Sequence, residues 1–183
     1  MGEILIPLAD GLEEIEAITP VDVLRRAGIE VVTCSLKNDL EILGSHGIKM
    51  KADRSIFDVK SNELAGIILP GGMPGSRNLQ ESQPLLDIIR ELAGKKELLA
   101  AICAAPIVLE KAGVIEGRQV TSFPGFEDEL SSSIYREELI VKDGNIITGR
   151  GPGVALDFSY AVLEYLLDER AVLDLKKKMM AYS

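Results

Sequence analysis

Residues 98–109 read Leu98-Leu99-Ala100-Ala101-Ile102-Cys103-Ala104-Ala105-Pro106-Ile107-Val108-Leu109, and their reading decides the fold. The first five are apolar without alternation and of strand length, the pattern of a parallel strand buried on both faces. The pattern then turns helical, with Ile107, Leu109 and Ala112 followed by Gly113 as a stop. Pro106 suits the first helical turn, where its missing N–H removes nothing. Cys103 therefore falls at the turn from strand to helix, with small residues, Ala101 and Ala105, two positions to either side. That spacing is the one a nucleophile elbow needs, because strand and helix backbones nearly touch there. A cysteine at a helix N-terminus also feels the positive end of the helix dipole, which favours thiolate over thiol. The same position suits a buried structural cysteine, and this stretch alone leaves both readings open.

Working outward, the same punctuation recurs. Gly66-Ile67-Ile68-Leu69-Pro70 reads as a second buried strand, ending in Gly71-Gly72-Met73-Pro74-Gly75. Residues 3–8 read as a first strand, 13–27 as a helix stopped by Gly28, and 29–36 as another strand. Gly44-Ser45-His46-Gly47 separates two short apolar pieces, the mark of a hairpin. A helix is predicted over 82–93 and a strand over 118–122. A hairpin over 138–148 is turned at Asp143-Gly144. Gly149-Arg150-Gly151-Pro152-Gly153 opens a helix over 154–167, and a last amphipathic helix carries Lys176-Lys177-Lys178 on a solvated face. Strands alternating with helices predict an α/β sandwich with a mostly parallel sheet covered on both sides. Ligands in such sheets bind outside the carboxyl ends of the strands. Three loops are expected there: Ala9 to Glu14, Gly71-Gly72, and the Cys103 elbow.

Composition narrows the classes. The 183 residues are read as one domain, 1–183, with enough chain for a full core. A net charge of −9 argues against a nucleic-acid partner. No apolar tract reaches membrane-spanning length, and the N-terminus has neither the basic region nor the core of a signal peptide, so a cytoplasmic location is expected. Two cysteines make no disulfide framework, and Cys34 reads as a structural strand residue. One histidine leaves too few ligands for zinc, so no metal or cofactor is expected; the absence of Trp argues against a flavin carrier.

Helical spacing over 13–27 places Glu14, Asp22, Arg25 and Arg26 on one side and Glu16 away from them, among Leu12, Pro20 and Val23. A glutamate on an apolar face is costly unless hydrogen-bonded or protonated. Burial would raise its pKa and equip it to donate a proton, although a first-turn glutamate can also simply favour the dipole. Pro20 predicts a kink or a restart of this helix. Ile15 and Ile18 fall on the charged side, which points to a subunit contact. Gly71-Gly72 lacks the spacing of a dinucleotide or phosphate loop and reads either as a backbone nest facing an oxyanion or as a plain turn.

Five ordered motifs together resemble the ThiJ/PfpI family, in the branch of the Parkinson-disease-associated deglycase and the YajL-like bacterial members. They are Asp10-Gly11-Leu12-Glu13-Glu14-Ile15-Glu16, Pro20 to Gly28, Leu69-Pro70-Gly71-Gly72, Ala101 to Pro106, and Gly149-Arg150-Gly151-Pro152-Gly153. The resemblance covers nearly the whole chain. It implies a flavodoxin-like three-layer sandwich, a homodimer, Cys103 as the oxidation-prone nucleophile and Glu16 as its protonated partner. It also implies Gly72 and Ala104 as backbone donors to the thiolate or oxyanion, with Glu13 and Pro152 near the pocket. Phe123 stands where some relatives place a histidine, and His46 stands in a hairpin turn where relatives often carry arginine, at the dimer contact. The implied activity is a cofactor-independent glyoxalase or deglycase acting on dicarbonyls such as methylglyoxal and glyoxal or their early adducts. The alternatives are a redox-sensing chaperone working through Cys103 oxidation, and a PfpI-like cysteine peptidase or amidotransferase-like hydrolase.

Overall fold

In the computed structural model, which describes residues 2–181, the strand expected at residues 3–8 is β1 (Glu3–Leu8), buried from Ile4 to Leu8. Continuous burial is what a central strand covered on both sides requires. The helix α1 (Glu14–Arg26) leads to β2 (Val31–Ser35), and β3 (Glu41–Leu43) and β4 (Lys49–Lys51) form a separate hairpin. After β5 (Arg54–Ser55) come β6 (Leu64–Leu69), α2 (Gly75–Glu81), α3 (Gln83–Lys95), β7 (Leu98–Ile102) and α4 (Pro106–Ala112). The short strands β8 (Gln119–Val120) and β9 (Ile134–Tyr135) pair with each other. The chain closes with β10 (Ile140–Asp143), β11 (Ile146–Gly149), α5 (Ala155–Leu166) and α6 (Glu169–Lys178).

The main sheet runs β10-β11-β7-β6-β1-β2-β5, parallel throughout except for the antiparallel edge strand β10. Alternate side chains leave the strands on opposite faces. Ile4, Ile6, Ile68, Ala100 and Ile102 pack with Ala17 and Leu24 of α1 and with Phe158 and Val162 of α5. Leu5, Ile67, Leu69, Leu99 and Ala101 face Leu79 of α2, Leu85 and Ile89 of α3, and Ile107 of α4. Each Leu or Ile so buried contributes about 1.5–3 kcal/mol. The result is the expected three-layer, flavodoxin-like sandwich. From β1 the chain moves outward to β2, then returns across β1 to β6, so the strand order reverses between β1 and β6. A site at their carboxyl ends is what that reversal predicts. Among the described residues no helix is long and apolar enough to cross a membrane.

Several expectations are corrected. Pro20 does not restart the first helix, which is continuous from Glu14 to Arg26 with Pro20 buried inside it. The last hairpin turns at Gly144-Asn145, one residue later than expected, because Asp143 still pairs with Ile146. The short helix α2 occupies a segment whose Gly, Ser and Asn carry no helical apolar period. Glu14, expected on the solvent side with Asp22, Arg25 and Arg26, is buried, because the β3–β4 hairpin lies over it.

Candidate active site

The three loops expected at the carboxyl edge do converge. The Glu13 N–H donates to the Gly71 carbonyl at 2.9 Å, tying the start of α1 to the end of β6. The Gly71 N–H donates to Glu16 Oε2 at 2.9 Å. A Cβ on Gly71 would sit 2.5 Å from Glu16 Oε2 and 2.6 Å from Cys103 Cβ, so only glycine lets helix, loop and elbow meet. Gly72 adopts φ 86°, and a Cβ there would strike the backbone at Glu13. Two successive glycines at a strand end were the sequence signal, and the family resemblance put Gly72 at the sulfur; that Gly71 holds the acid was not legible in it.

Cys103 lies in the sharp turn after β7. Its φ is 63°, a left-handed conformation rare for a residue with a side chain. Its N–H donates to the Gly149 carbonyl and its carbonyl accepts from the Phe123 N–H, each at 2.9 Å, so both peptides flanking the strained residue are held. The helix after the turn begins at Pro106, in whose first turn that proline was expected, and runs to Ala112 before the Gly113 stop. The backbone N–H groups of Gly72 and Ala104 lie at the sulfur and favour its ionised form.

Glu16 is fully buried. Burial pushes its carboxyl up to about 7, more than hydrogen bonds from Cys103 and Gly71 pull it down, and the nearby charge of Glu13 adds to the rise. Oε1 has no conventional partner. Proton exchange with the sulfur that Glu16 contacts would give that side of the carboxyl a role. Cys103 is likewise raised, to about 12, by burial and then by the Glu16 charge. The partly buried Cys103 and the buried Glu16 form a coupled pair, on which one negative charge is easier to place than two. When Glu16 holds the proton, its repulsion disappears and the donors from Gly72 and Ala104 act on a thiolate. Cys34, by contrast, is pushed to about 12 by burial in β2.

The other anticipated residues divide. Phe123 is half-exposed against the Cys103 backbone and lines, with Pro124, Leu139, Arg150, Pro152 and Val154, a mostly apolar hollow of about 340 Å³. Pro152 is thereby placed in the same hollow as Phe123. Glu13 sits at the N-cap of α1, bonded to Gly71. His46 is engaged with Glu14, its Nδ1 lying 2.9 Å from Glu14 Oε2 and 3.4 Å from Glu13 Oε2. Donor atoms of Glu13, Glu14 and His46 all fall within 4.8 Å of one another. The direct bonds among them and to the hairpin backbone account for that grouping as an ion-paired cluster.

Residues 2–165 match the model of the DJ-1/PfpI family. The chain belongs to that family. It is 39% identical over 178 residues to Protein dj-1beta of Drosophila melanogaster, covering 96% of this chain and 95% of the fly protein. It is 36% identical over 180 residues to the Parkinson disease protein 7 homolog of Danio rerio, with 96% and 95% covered. Against Protein DJ-1 homolog B of Arabidopsis thaliana the identity is 37% over 96% of this chain, which spans only 40% of that longer protein. The crystal structure of Drosophila melanogaster DJ-1beta superposes with a TM-score of 0.94 at 38% identity, covering 98% of this chain and 97% of that one. A solved structure of Toxoplasma gondii DJ-1, described as oxidized, gives 0.92 at 33% identity with both chains fully covered.

Proposed function

We propose that this DJ-1/PfpI-family chain is a cysteine-dependent, cofactor-independent enzyme of glyoxalase or deglycase type, acting on small dicarbonyls such as methylglyoxal or on their early adducts. The observation that carries the reading is the buried Glu16 carboxyl, held by Gly71 and in contact with the sulfur of a strained elbow cysteine. In the reacting state Glu16 holds the proton and Cys103 is the thiolate. The sulfur adds to the aldehyde carbon; the new C–S bond sends the carbonyl electron pair to oxygen, and Glu16 protonates that oxygen, giving a hemithioacetal. Now a carboxylate, Glu16 removes the proton from the former aldehyde carbon to give an enediolate. The hydroxyl proton on that carbon passes to the oxygen of the neighbouring carbon, and Glu16 returns its proton to that neighbouring carbon. The product is a thioester of a 2-hydroxy acid, and Glu16 is left a carboxylate. Water attacks the thioester, the C–S bond breaks, and the thiol and the acid leave. The sum is one dicarbonyl plus one water giving one hydroxy acid, with no external oxidant.

The test is conversion of methylglyoxal to lactate followed by NMR. Cys103→Ala is expected to bring turnover to background, and Glu16→Gln to fold normally but slow conversion by about 10²-fold or more. A Cys103→Ala protein that works at the wild-type rate ends the proposal.

A second reading rests on the same donors. The N–H groups of Gly72 and Ala104 and a protonated Glu16 also suit a sulfinate on Cys103, as a redox sensor or redox-controlled chaperone requires. Peroxide titration with peptide mass should then oxidise Cys103 well ahead of Cys34; equal rates remove this reading. A peptidase or amidotransferase needs a Cys–His pair, and the one histidine, His46, is taken up by Glu14. Ile15 and Ile18, 54% and 47% exposed on α1, support a homodimer through that helix. Ile15→Glu with Ile18→Glu should halve the mass seen by sedimentation.

A further inference from the structure

Residues 123–129 form a strap beside the elbow. At one end the Phe123 N–H donates to the Cys103 carbonyl at 2.9 Å, and a Cβ on Gly151 would sit 3.1 Å from the Phe123 ring. At the other end Leu130 is buried in the same apolar layer as Leu79 of α2. Between these ends the Gly125 N–H donates to Glu127 Oε2, the Glu129 N–H to the Phe126 carbonyl and the Leu130 N–H to the Glu127 carbonyl. Among the described residues, the backbone bonds from Pro124 to Glu129 thus stay within the strap and its anchor Leu130. Glu127 Oε1 reaches out to the Tyr135 hydroxyl, at a long 3.4 Å. Glu129 makes the stronger tie. Arg77 of α2 donates to it through both terminal nitrogens, Nη1 to Oε2 and Nη2 to Oε1, each at 2.6 Å. Two parallel bonds fix direction as well as distance, which one contact does not. Nη1 also donates to Gln80 Oε1 at 3.0 Å, and Gln80 Nε2 donates to the Ile107 carbonyl of α4 at 3.3 Å.

We propose that Arg77 and Glu129 are positioning residues for the site: they clasp the strap to α2, so that Phe123 stays against the elbow and narrows the approach to Cys103. With the clasp broken, the strap keeps its Leu130 anchor but swings away from the elbow, and bulkier electrophiles reach the sulfur. The inference rests on Cys103 being the reacting group and not on the identity of the substrate.

The clasp joins the two loops that border Cys103. One is the loop that opens α2 and brings the Gly72 N–H to the sulfur. The other carries Phe123 and Pro124, one wall of the apolar hollow whose far wall is Leu139 and Arg150 to Val154. A gap opened between strap and elbow therefore widens the hollow without disturbing the sheet beneath it. The Arg77 and Glu129 side chains are 37% and 36% exposed, so water and salt weaken the pair without abolishing it. A pair of this exposure shifts an open–closed balance by a factor of roughly two to five. A small reagent enters in either state and does not sense that shift. A bulky one reacts in proportion to the open fraction.

The experiment compares the rates at which iodoacetamide and the much larger N-(1-pyrenyl)maleimide modify Cys103, read by peptide mass at low ionic strength. In Arg77→Gln and in Glu129→Gln the ratio of bulky to small reagent should rise roughly two- to five-fold over wild type. The double variant should match either single one, because the partners act as a unit. Cys34, buried in β2, is the internal control and should stay unlabelled in all four proteins. An unchanged ratio in both single variants overturns the proposal. So does a further rise in the double variant, or labelling of Cys34 in step with Cys103, which would mean that the whole fold has loosened. Should neither single variant fold, the wild-type ratio must still rise in 1 M salt, and a ratio that salt leaves unchanged overturns the proposal equally. Alkylation needs no turnover. A protein that fails to convert methylglyoxal would therefore end the glyoxalase reading and leave the labelling ratio to decide the role of Arg77 and Glu129.

Discussion

Glu14 and Glu16 stand two residues apart on α1, both are buried, and the protein drives them in opposite directions. Glu14 points into the hairpin turn. Burial would raise it, but the His46 ring and backbone N–H groups, including those of His46 and Ile48, bring it down to about 2. Glu16 points into the elbow, where burial outweighs a single N–H and a sulfur contact and holds it at about 7. The difference is both the number of donors each carboxylate is given and depth, since Glu14 keeps a little exposed surface and Glu16 none. One carboxylate is a permanently charged fastener. The other is a proton store.

The contrast can be broken at Gly71, the residue that gives Glu16 its one N–H. Gly71→Ala drives a methyl into both Glu16 and Cys103 and should lower kcat/KM by about 10²–10³-fold; an unchanged rate would mean that the contact is dispensable. Stability should sharpen it next. Because the folded pKa of Glu16 lies near 7 and its ordinary value near 4.5, Glu16 costs the fold nothing below about pH 4.5 and an increasing amount as pH rises through 7. Glu16→Gln should therefore stabilise the protein by up to roughly 3 kcal/mol at pH 8 in urea unfolding, while slowing turnover. No gain at high pH would place the charge elsewhere. Glu14 has the opposite sign. Its folded pKa is depressed, so its contribution is complete above about pH 4.5 and is lost as pH falls towards 2. Glu14→Gln should cost about 1–3 kcal/mol at pH 7 and flatten the acid limb of the stability curve. The smallest effect belongs to Ser45→Ala, which removes the hydroxyl contacts of an exposed residue, 3.3 Å to Glu14 and 3.1 Å to His46 Nδ1, and should move stability by less than about 0.5 kcal/mol.

The two glutamates also mark what the sequence makes legible. The parallel strands and the elbow were readable because a strand buried on both faces leaves an uninterrupted apolar run, and its ends are punctuated locally by glycine and proline. Glu16 was readable because helical spacing put it with Leu12, Pro20 and Val23. Glu14 was misplaced on the solvent face because its cover is a hairpin some thirty residues further along, and no helical periodicity carries that information. The same limit hid β9, which pairs, among the described residues, with β8. Cys103 was found by its small neighbours, and the start of the following helix by Pro106. The balance at the sulfur was not legible, because the burial and the Glu16 charge that oppose its ionisation come from other elements.

The left-handed backbone at Cys103 has a consequence for any attempt to harden this protein. A non-glycine residue held there carries about 1–3 kcal/mol of conformational tension, and Gly is the natural relief. A library screened only for survival on heating should therefore drift towards Gly at 103 and Gln at 16. It would return a sturdier object that has discarded its own reagent.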